Sequence, residues 1–180
     1  MNRPYIIAID AVAGGGKTTL SKAVNEALYP SARYCFDEFD ELDIHPVDFY
    51  DWWLRGADIA EFDCPGIHQA VSDRIEINDV DFIVLDIPFG RKHTRFCKLI
   101  DLSVFIDTPL DITLARRILR DPYEDLASVR REIERYLSKT RALYAGHMHY
   151  KKECDLILDG TLSIEELKKS VLKRINTAGC

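Results

Sequence analysis

Apolar residues along this chain come in short unbroken runs, separated by longer segments in which apolar and polar positions mix. The runs are YIIAI (5–9), DFIVLDI (81–87), LSVFID (102–107) and DLILD (155–159), with ARYCF (32–36) a weaker fifth. A strand buried on both faces reads as a continuous apolar run, whereas a strand with one wet face alternates, so these runs predict the strands of a mostly parallel sheet. Between them the pattern predicts helices over 17–28, 66–78, 110–120, 124–145 and 163–176. Start signals accompany two of these. Thr108 is placed to cap a helix with Pro109 in its first turn, and Ser163 with Glu166 has the spacing of a capping box. Strands alternating with helices imply an α/β fold of three layers, a mostly parallel five-stranded sheet with helices on both faces. No repeat, low-complexity tract or Pro/Gly/Ser linker interrupts the chain, so residues 1–180 are expected to form a single domain. The stretch 38–65, rich in aromatics and carboxylates, is the least regular and is expected to face a substrate.

Composition narrows the class of partner. The chain has 180 residues, 47% of them hydrophobic, which suffices to bury a core without disulfide or metal staples. A net charge of −6, with acidic residues spread along the chain, gives no basic footprint for nucleic acid. The five cysteines, Cys35, Cys64, Cys97, Cys154 and Cys180, form no C-x-x-C pair and read as reduced thiols of a cytoplasmic protein. No apolar stretch approaches the roughly 18 residues that span a bilayer, so no membrane partner is expected. Sequence leaves a homo-oligomer open.

The first chemical signal is AVAGGGKTT (11–19), directly behind the first apolar run. It matches the phosphate-binding pattern G-x-x-x-x-G-K-[ST] except that Ala11 stands where the first glycine is expected. Such a loop turns successive backbone N–H groups toward a phosphate, ahead of a helix whose N-terminal dipole faces the same anion. Ala13, Gly14, Gly15, Gly16, Lys17, Thr18 and Thr19 are the expected nucleotide contacts. Lys17 would reach the β and γ phosphates of ATP, and the Thr18 hydroxyl would join the shell of a Mg²⁺ ion.

Carboxylates at strand ends come next, because ligands of open α/β sheets bind beyond the carboxyl ends of the strands. Asp37, in CFDEFD, follows the second run, and Asp86 closes the third in the manner of a Walker B aspartate. Phosphoryl transfer needs one carboxylate to orient or deprotonate the accepting hydroxyl and another to hold Mg²⁺; Asp37 suits the first role and Asp86 the second. Glu38 and Asp40 lie near enough to exchange roles with Asp37. In ARRILRD, Arg116 and Arg120 share a helical face and Arg117 is three residues from Arg120, so these cations can clamp phosphates or equally form a solvated face paired to Asp121, Glu124 and Asp125. Arg130, Arg131 and Arg141 are further candidates.

Together these blocks resemble the uridine kinase branch of P-loop kinases, which includes phosphoribulokinase-like enzymes. IAIDAVAGGGKTTLSKAV resembles the family's opening strand, cradle and helix, and FDEF its D-x-F segment, which makes Asp37 the family's catalytic aspartate. LSVFIDTPLDITLARRILRD is similar to the strand and lid helix that carry phosphate-binding arginines, and RYLSKTRALY followed by CDLILDG to the closing helix and last strand. The resemblance implies a P-loop kinase fold, a lid at about 116–135 and an acceptor-side insertion at about 38–78. It also implies ATP and Mg²⁺ as cosubstrates and transfer of the γ-phosphoryl to a small-molecule hydroxyl, that of a nucleoside being the first expectation. Three departures stand out: Ala11; DPYEDLAS, which lacks a Glu-Arg-Gly-Arg type of lid; and AEFDCPGIHQAV, a faint echo of the segment that holds a pyrimidine nucleoside.

Other residues are weighed against plain structural roles. Trp52 and Trp53 could stack on a planar acceptor or pack in the core. His45, His68 and His93 lie in loop or acceptor-side segments, while His147 and His149, two apart, share no helix face and form no H-E-x-x-H arrangement. The basic turn GRKHTR (90–95) could meet a phosphorylated acceptor, which would suit a kinase of another alcohol such as a sugar phosphate or coenzyme precursor. A nucleotide-binding ATPase or switch without a small-molecule acceptor is the rival from another class.

Overall fold

The computed structural model describes residues 3–39 and 44–177. Strands β1 (Tyr5–Asp10), β2 (Ser31–Cys35), β3 (Phe82–Asp86), β4 (Leu102–Asp107) and β5 (Leu156–Asp159) form one parallel sheet in the order β2-β3-β1-β4-β5. The α-helices are α1 (Lys17–Ala27), α2 (Phe49–Leu54), α3 (Pro65–Ile77), α4 (Leu110–Arg120), α5 (Leu126–Arg135), α6 (Arg141–His147) and α7 (Ile164–Thr177).

Successive side chains of a strand point to opposite faces. In β1, Ile6 and Ala8 therefore join Ile83, Leu85, Trp52, Ile67 and Val71 on one face, while Ile7 and Ile9 join Leu20, Val84, Val104, Leu167 and Val171 on the other. Both faces are covered, by α2 and α3 on the first and α1 and α7 on the second, which is why the runs in the sequence are unbroken. The chain moves from β1 outward to β2 and later crosses to β4 on the other side of β1. That reversal leaves a crevice beyond the carboxyl end of β1, where ligands of this class of sheet bind.

Three expectations change. Thr108 does not cap α4, whose flanking residue is Pro109; its hydroxyl, fully buried, donates instead to the Gly15 carbonyl at 2.9 Å and so braces the loop before α1. The helix expected over 124–145 is interrupted by a π-helical turn at Tyr136–Thr140. Tyr136 is buried there, with its hydroxyl donating to the Leu110 carbonyl at 3.1 Å, and an apolar period cannot register the single wider turn that this anchor accompanies. The irregular stretch contains α2, capped by the Asp48 carboxylate, which accepts from the Tyr50 and Asp51 N–H groups. An antiparallel bridge between Ile44 and Asp63 closes that excursion. The Ser163–Glu166 capping box forms as its spacing implies. Among the described residues no helix is long and apolar enough to cross a membrane.

Two stability predictions follow from these contacts. Leu20→Ala empties a fully buried site between α1 and the sheet and should cost about 2–5 kcal/mol, read as a lower urea midpoint at unchanged slope. Backbone N–H groups hold the Asp48 and Asp125 carboxyls below the usual carboxylate range, and the Ser163 hydroxyl and N–H do the same for Glu166. A depressed folded-state pKa stabilises above the unfolded value of about 4 and is lost below it. The urea midpoint should therefore fall as pH drops from 5 toward about 2, and a flat profile would contradict the capping geometry.

Candidate active site

The cradle follows from local backbone demands. Gly14 and Gly16 adopt φ of +83° and +99°, a region costly for residues with a Cβ, and a Cβ on Gly14 would lie 2.4 Å from the Thr113 carbonyl oxygen. Gly15 is required for another reason: its Cβ would sit 2.7 Å from the Cβ of Ala11. Ala11 has no positive φ and is buried, so alanine is tolerated where a glycine was expected, and its methyl fills the space under the loop. A cleft of about 1170 Å³ opens from Ala11–Thr19 across to Asp37, α2 and α6.

Asp86 is the electrostatic hub. Its carboxylate has no solvent exposure, and Lys17 Nζ lies 2.7 Å from one oxygen. The other oxygen accepts from Ser21 Oγ at 3.1 Å and, more loosely, from Arg33 and Cys35 at 3.4 Å each. Burial works against both charges, and the pairing outweighs it: Asp86 is held below the usual carboxylate range and Lys17 above the usual ammonium value. Burial pushes the Cys35 thiol up, so it remains a weak donor here.

The remaining expected residues divide. Asp37, exposed in a short 3-10 turn after β2, lines the cleft. Glu38 is bound by Arg33 and does not line it, and Asp40 lies outside the described residues. Arg116, Arg117 and Arg120 all face the cleft. Arg116 reaches the Gly160 carbonyl at 3.4 Å; Arg117 is nearly buried, paired with Glu132 at 2.8 Å and 5.6 Å from the Tyr144 ring; Arg120 is exposed and paired with Asp121. One Arg117 nitrogen, Nη1, is buried and makes no hydrogen bond among the described residues. Arg130, Arg131 and Arg141 do not line the cleft.

Trp52 is buried, its indole N–H donating to the Asp58 carbonyl at 2.8 Å, and reaches the cleft wall beside Trp53, which packs on Gly146. His93 is fully buried, 3.2 Å from the Cys64 sulfur, and takes no part in the cleft. The basic turn is committed elsewhere: Arg91 pairs with Asp155, Lys92 with Glu153 and Arg95 with Asp63, none of them lining the cleft. The reading that it meets a phosphorylated acceptor loses its support.

Two residues of the site carry no local signature. Asp10, the last residue of β1, is buried and accepts from the Phe89 N–H at 3.1 Å and from His147 Nε2 at 3.0 Å. The two partners are 137 positions apart, beyond the reach of any motif; only an aspartate ending a buried strand hints at a role.

No protein-family model matches the chain. Uridine kinase of Clostridium botulinum (strain Langeland) is 23% identical over 88% of this chain and 89% of its own, and uridine kinase of Bacillus thuringiensis (strain Al Hakam) 24% identical over 87% and 86%. Among solved structures, shikimate kinase from Aquifex aeolicus aligns with a TM-score of 0.52 at 18% identity over 97% of this chain and 99% of its own. Deoxyadenosine kinase from M. mycoides aligns at 0.55 and 13% identity over 96% and 99%. The fold is that of the P-loop kinases. The resemblance to uridine kinases read from the motifs is thus met by full-length relatives, and together these likenesses support a small-molecule kinase. For a P-loop kinase fold the donor set suits Mg²⁺ in kind: Thr18 brings a hydroxyl to the cleft and Asp86, buried beside Lys17, a carboxylate, and among the described residues no three His, Cys, Asp or Glu side chains form a self-sufficient metal cage.

The tight contact between α2 and α6 is directly testable. A Cβ on Gly146 would meet the Trp53 ring at 1.8 Å, so Gly146→Ala must displace the indole from the cleft wall. It should destabilise the protein by about 1–3 kcal/mol and shift the tryptophan emission; an unchanged melt and spectrum would contradict the packing.

Proposed function

We propose that this protein is a cytoplasmic ATP- and Mg²⁺-dependent kinase that transfers the γ-phosphoryl group to a hydroxyl of a nucleoside-like acceptor. The observation that carries the reading is the placement of Lys17, paired with the buried Asp86 beneath it, and of Asp37 about one cleft, with the glycine cradle along its wall. The cradle N–H groups, with Lys17 and Thr19, bind the phosphates of ATP. Thr18 and Asp86 would hold Mg²⁺, which when bound would supply neutralisation of phosphate charge. Asp37 takes the proton of the acceptor hydroxyl as its oxygen bonds to the γ-phosphorus; the bond from that phosphorus to the bridging oxygen breaks, and ADP leaves. Arg116, Arg117 and Arg120 face the same space and stabilise the charge that spreads over the transferring group. The acceptor lies among the aromatic side chains Phe49, Tyr50, Trp53, Phe89 and Tyr150, which suit a flat ring attached to a hydroxyl-bearing sugar.

Coupled ADP release with Mg²⁺ and ATP across nucleosides, nucleoside monophosphates and simple sugars, against an acceptor-free control, tests this. Stimulation by a nucleoside is expected; turnover indifferent to every acceptor would favour the ATPase switch instead. Lys17→Ala should lower acceptor-dependent turnover by about 10³-fold or more, because catalysis here is positioning and electrostatics. Asp37→Asn should retain ATP binding by calorimetry while losing about 10²–10⁴-fold in kcat, the contribution typical of general-base catalysis. Near-normal kcat in either variant would contradict the assigned role.

A further inference from the structure

A buried histidine–carboxylate pair at the wall of a cleft is an expensive feature, since both groups lose water and an apolar pair of similar volume would pack there more cheaply. His147 closes α6 with its side chain 13% exposed, and the Asp10 carboxylate beneath it is 1% exposed. Both oxygens of Asp10 lie within 3.1 Å of Nε2, and an ionised carboxylate only accepts, so Nε2 carries the hydrogen. Among the described residues His147 makes no other hydrogen bond, which leaves Nδ1 without one. The ring is fixed in plane as well as at its tip: it stacks on Phe89 at 4.8 Å and meets Phe105 and Tyr150 edge-on at 6.1 and 5.7 Å.

Its neighbours place it on the acceptor side. Phe89 contacts Phe62 at 4.9 Å and Trp52 at 5.8 Å, so His147 continues the aromatic layer that the 44–63 excursion contributes to the cleft, which Arg116 and the cradle also line. Asp10 is also within electrostatic reach of Lys17, which puts the pair close to the reacting groups. Resting on the kinase reading above, we propose that His147, oriented by Asp10, is a specificity-determining residue that hydrogen-bonds the polar edge of a heterocyclic ring on the acceptor. Asp10 is a positioning residue acting through it. The acceptor class is thereby narrowed to hydroxyl compounds bearing a nitrogen heterocycle, and sugars and polyols without one are excluded as preferred substrates.

Steady-state kinetics of wild type and His147→Gln, with the best nucleoside and with free ribose, test the assignment. Loss of one acceptor hydrogen bond should raise KM for the nucleoside about tenfold, change kcat far less, leave KM for ATP unmoved and shrink the preference for nucleoside over ribose. Asp10→Asn, which keeps a carbonyl oxygen for Nε2, should fall between the two. An unchanged nucleoside KM and preference in a folded His147→Gln would overturn the proposal while the kinase reading stands. Wild-type protein gives a second readout that needs neither a variant nor turnover. The ¹H–¹⁵N resonances of the His147 ring should shift when the nucleoside is added without ATP, and not when ribose is; an unmoved ring at saturating nucleoside overturns the proposal. If no acceptor stimulates ADP release, the kinase reading fails, and the same titration then decides whether the heterocycle subsite survives it.

Discussion

A carboxylate without solvent contact at the end of a central strand has to be neutralised, and the way Asp86 is neutralised organises the whole cleft. Removing a carboxylate from water costs several kcal/mol unless it is paired and hydrogen-bonded. Here the pairing comes from Lys17 and from Ser21 on α1, with Arg33 and Cys35 on β2 adding longer contacts. Because Asp86 sits in register with Ile9 of β1 and Cys35 of β2, its partners fix the first turn of α1 against the sheet. The glycine loop that ends at Lys17 is therefore held from both sides, by Asp86 below its helix and by Thr108 from the end of β4. The cradle is glycine-rich in composition and braced at both ends.

The same arrangement separates two halves of the cleft by chemistry. Toward α4 the lining is cationic, Arg116, Arg117 and Arg120, with one buried guanidinium nitrogen lacking a partner. Toward α2 and α6 it is largely aromatic, with Asp37, Asp48, Lys139, Thr140 and His147 among its polar members. On the proposed reading, charge stabilisation belongs to the first half and recognition of a flat molecule to the second. The π-helical turn lies at the border: it follows Arg135 and precedes Tyr144 and His147, so one continuous helical rod serves both halves.

Much of this was legible in the residues. Unbroken apolar runs give the strands because both faces of the sheet are covered, and the glycine–lysine–threonine pattern and the aspartates at 37 and 86 follow from positions at strand ends. What could not be read has a common cause, contact between distant segments. Thr108 looks like a helix cap until the Gly15 carbonyl is beside it; the turn at 136–140 depends on Leu110; the Asp10–His147 pair joins opposite ends of the chain. Glu38 was as good a candidate as Asp37 until Arg33, on the strand before it, took up its charge. The basic turn at 90–95 failed for the same reason, since its partners Asp63, Glu153 and Asp155 come from two other segments.

The central claim is that the buried Asp86 carboxylate couples the phosphate cradle to a divalent cation. Calorimetric titration of ATP into wild type and Asp86→Asn, each with Mg²⁺ and with a chelator, tests it most directly. The account predicts that Mg²⁺ strengthens ATP binding to the wild type and that the asparagine variant loses most of that enhancement while still binding ATP. Equal enhancement by Mg²⁺ in both proteins would contradict it.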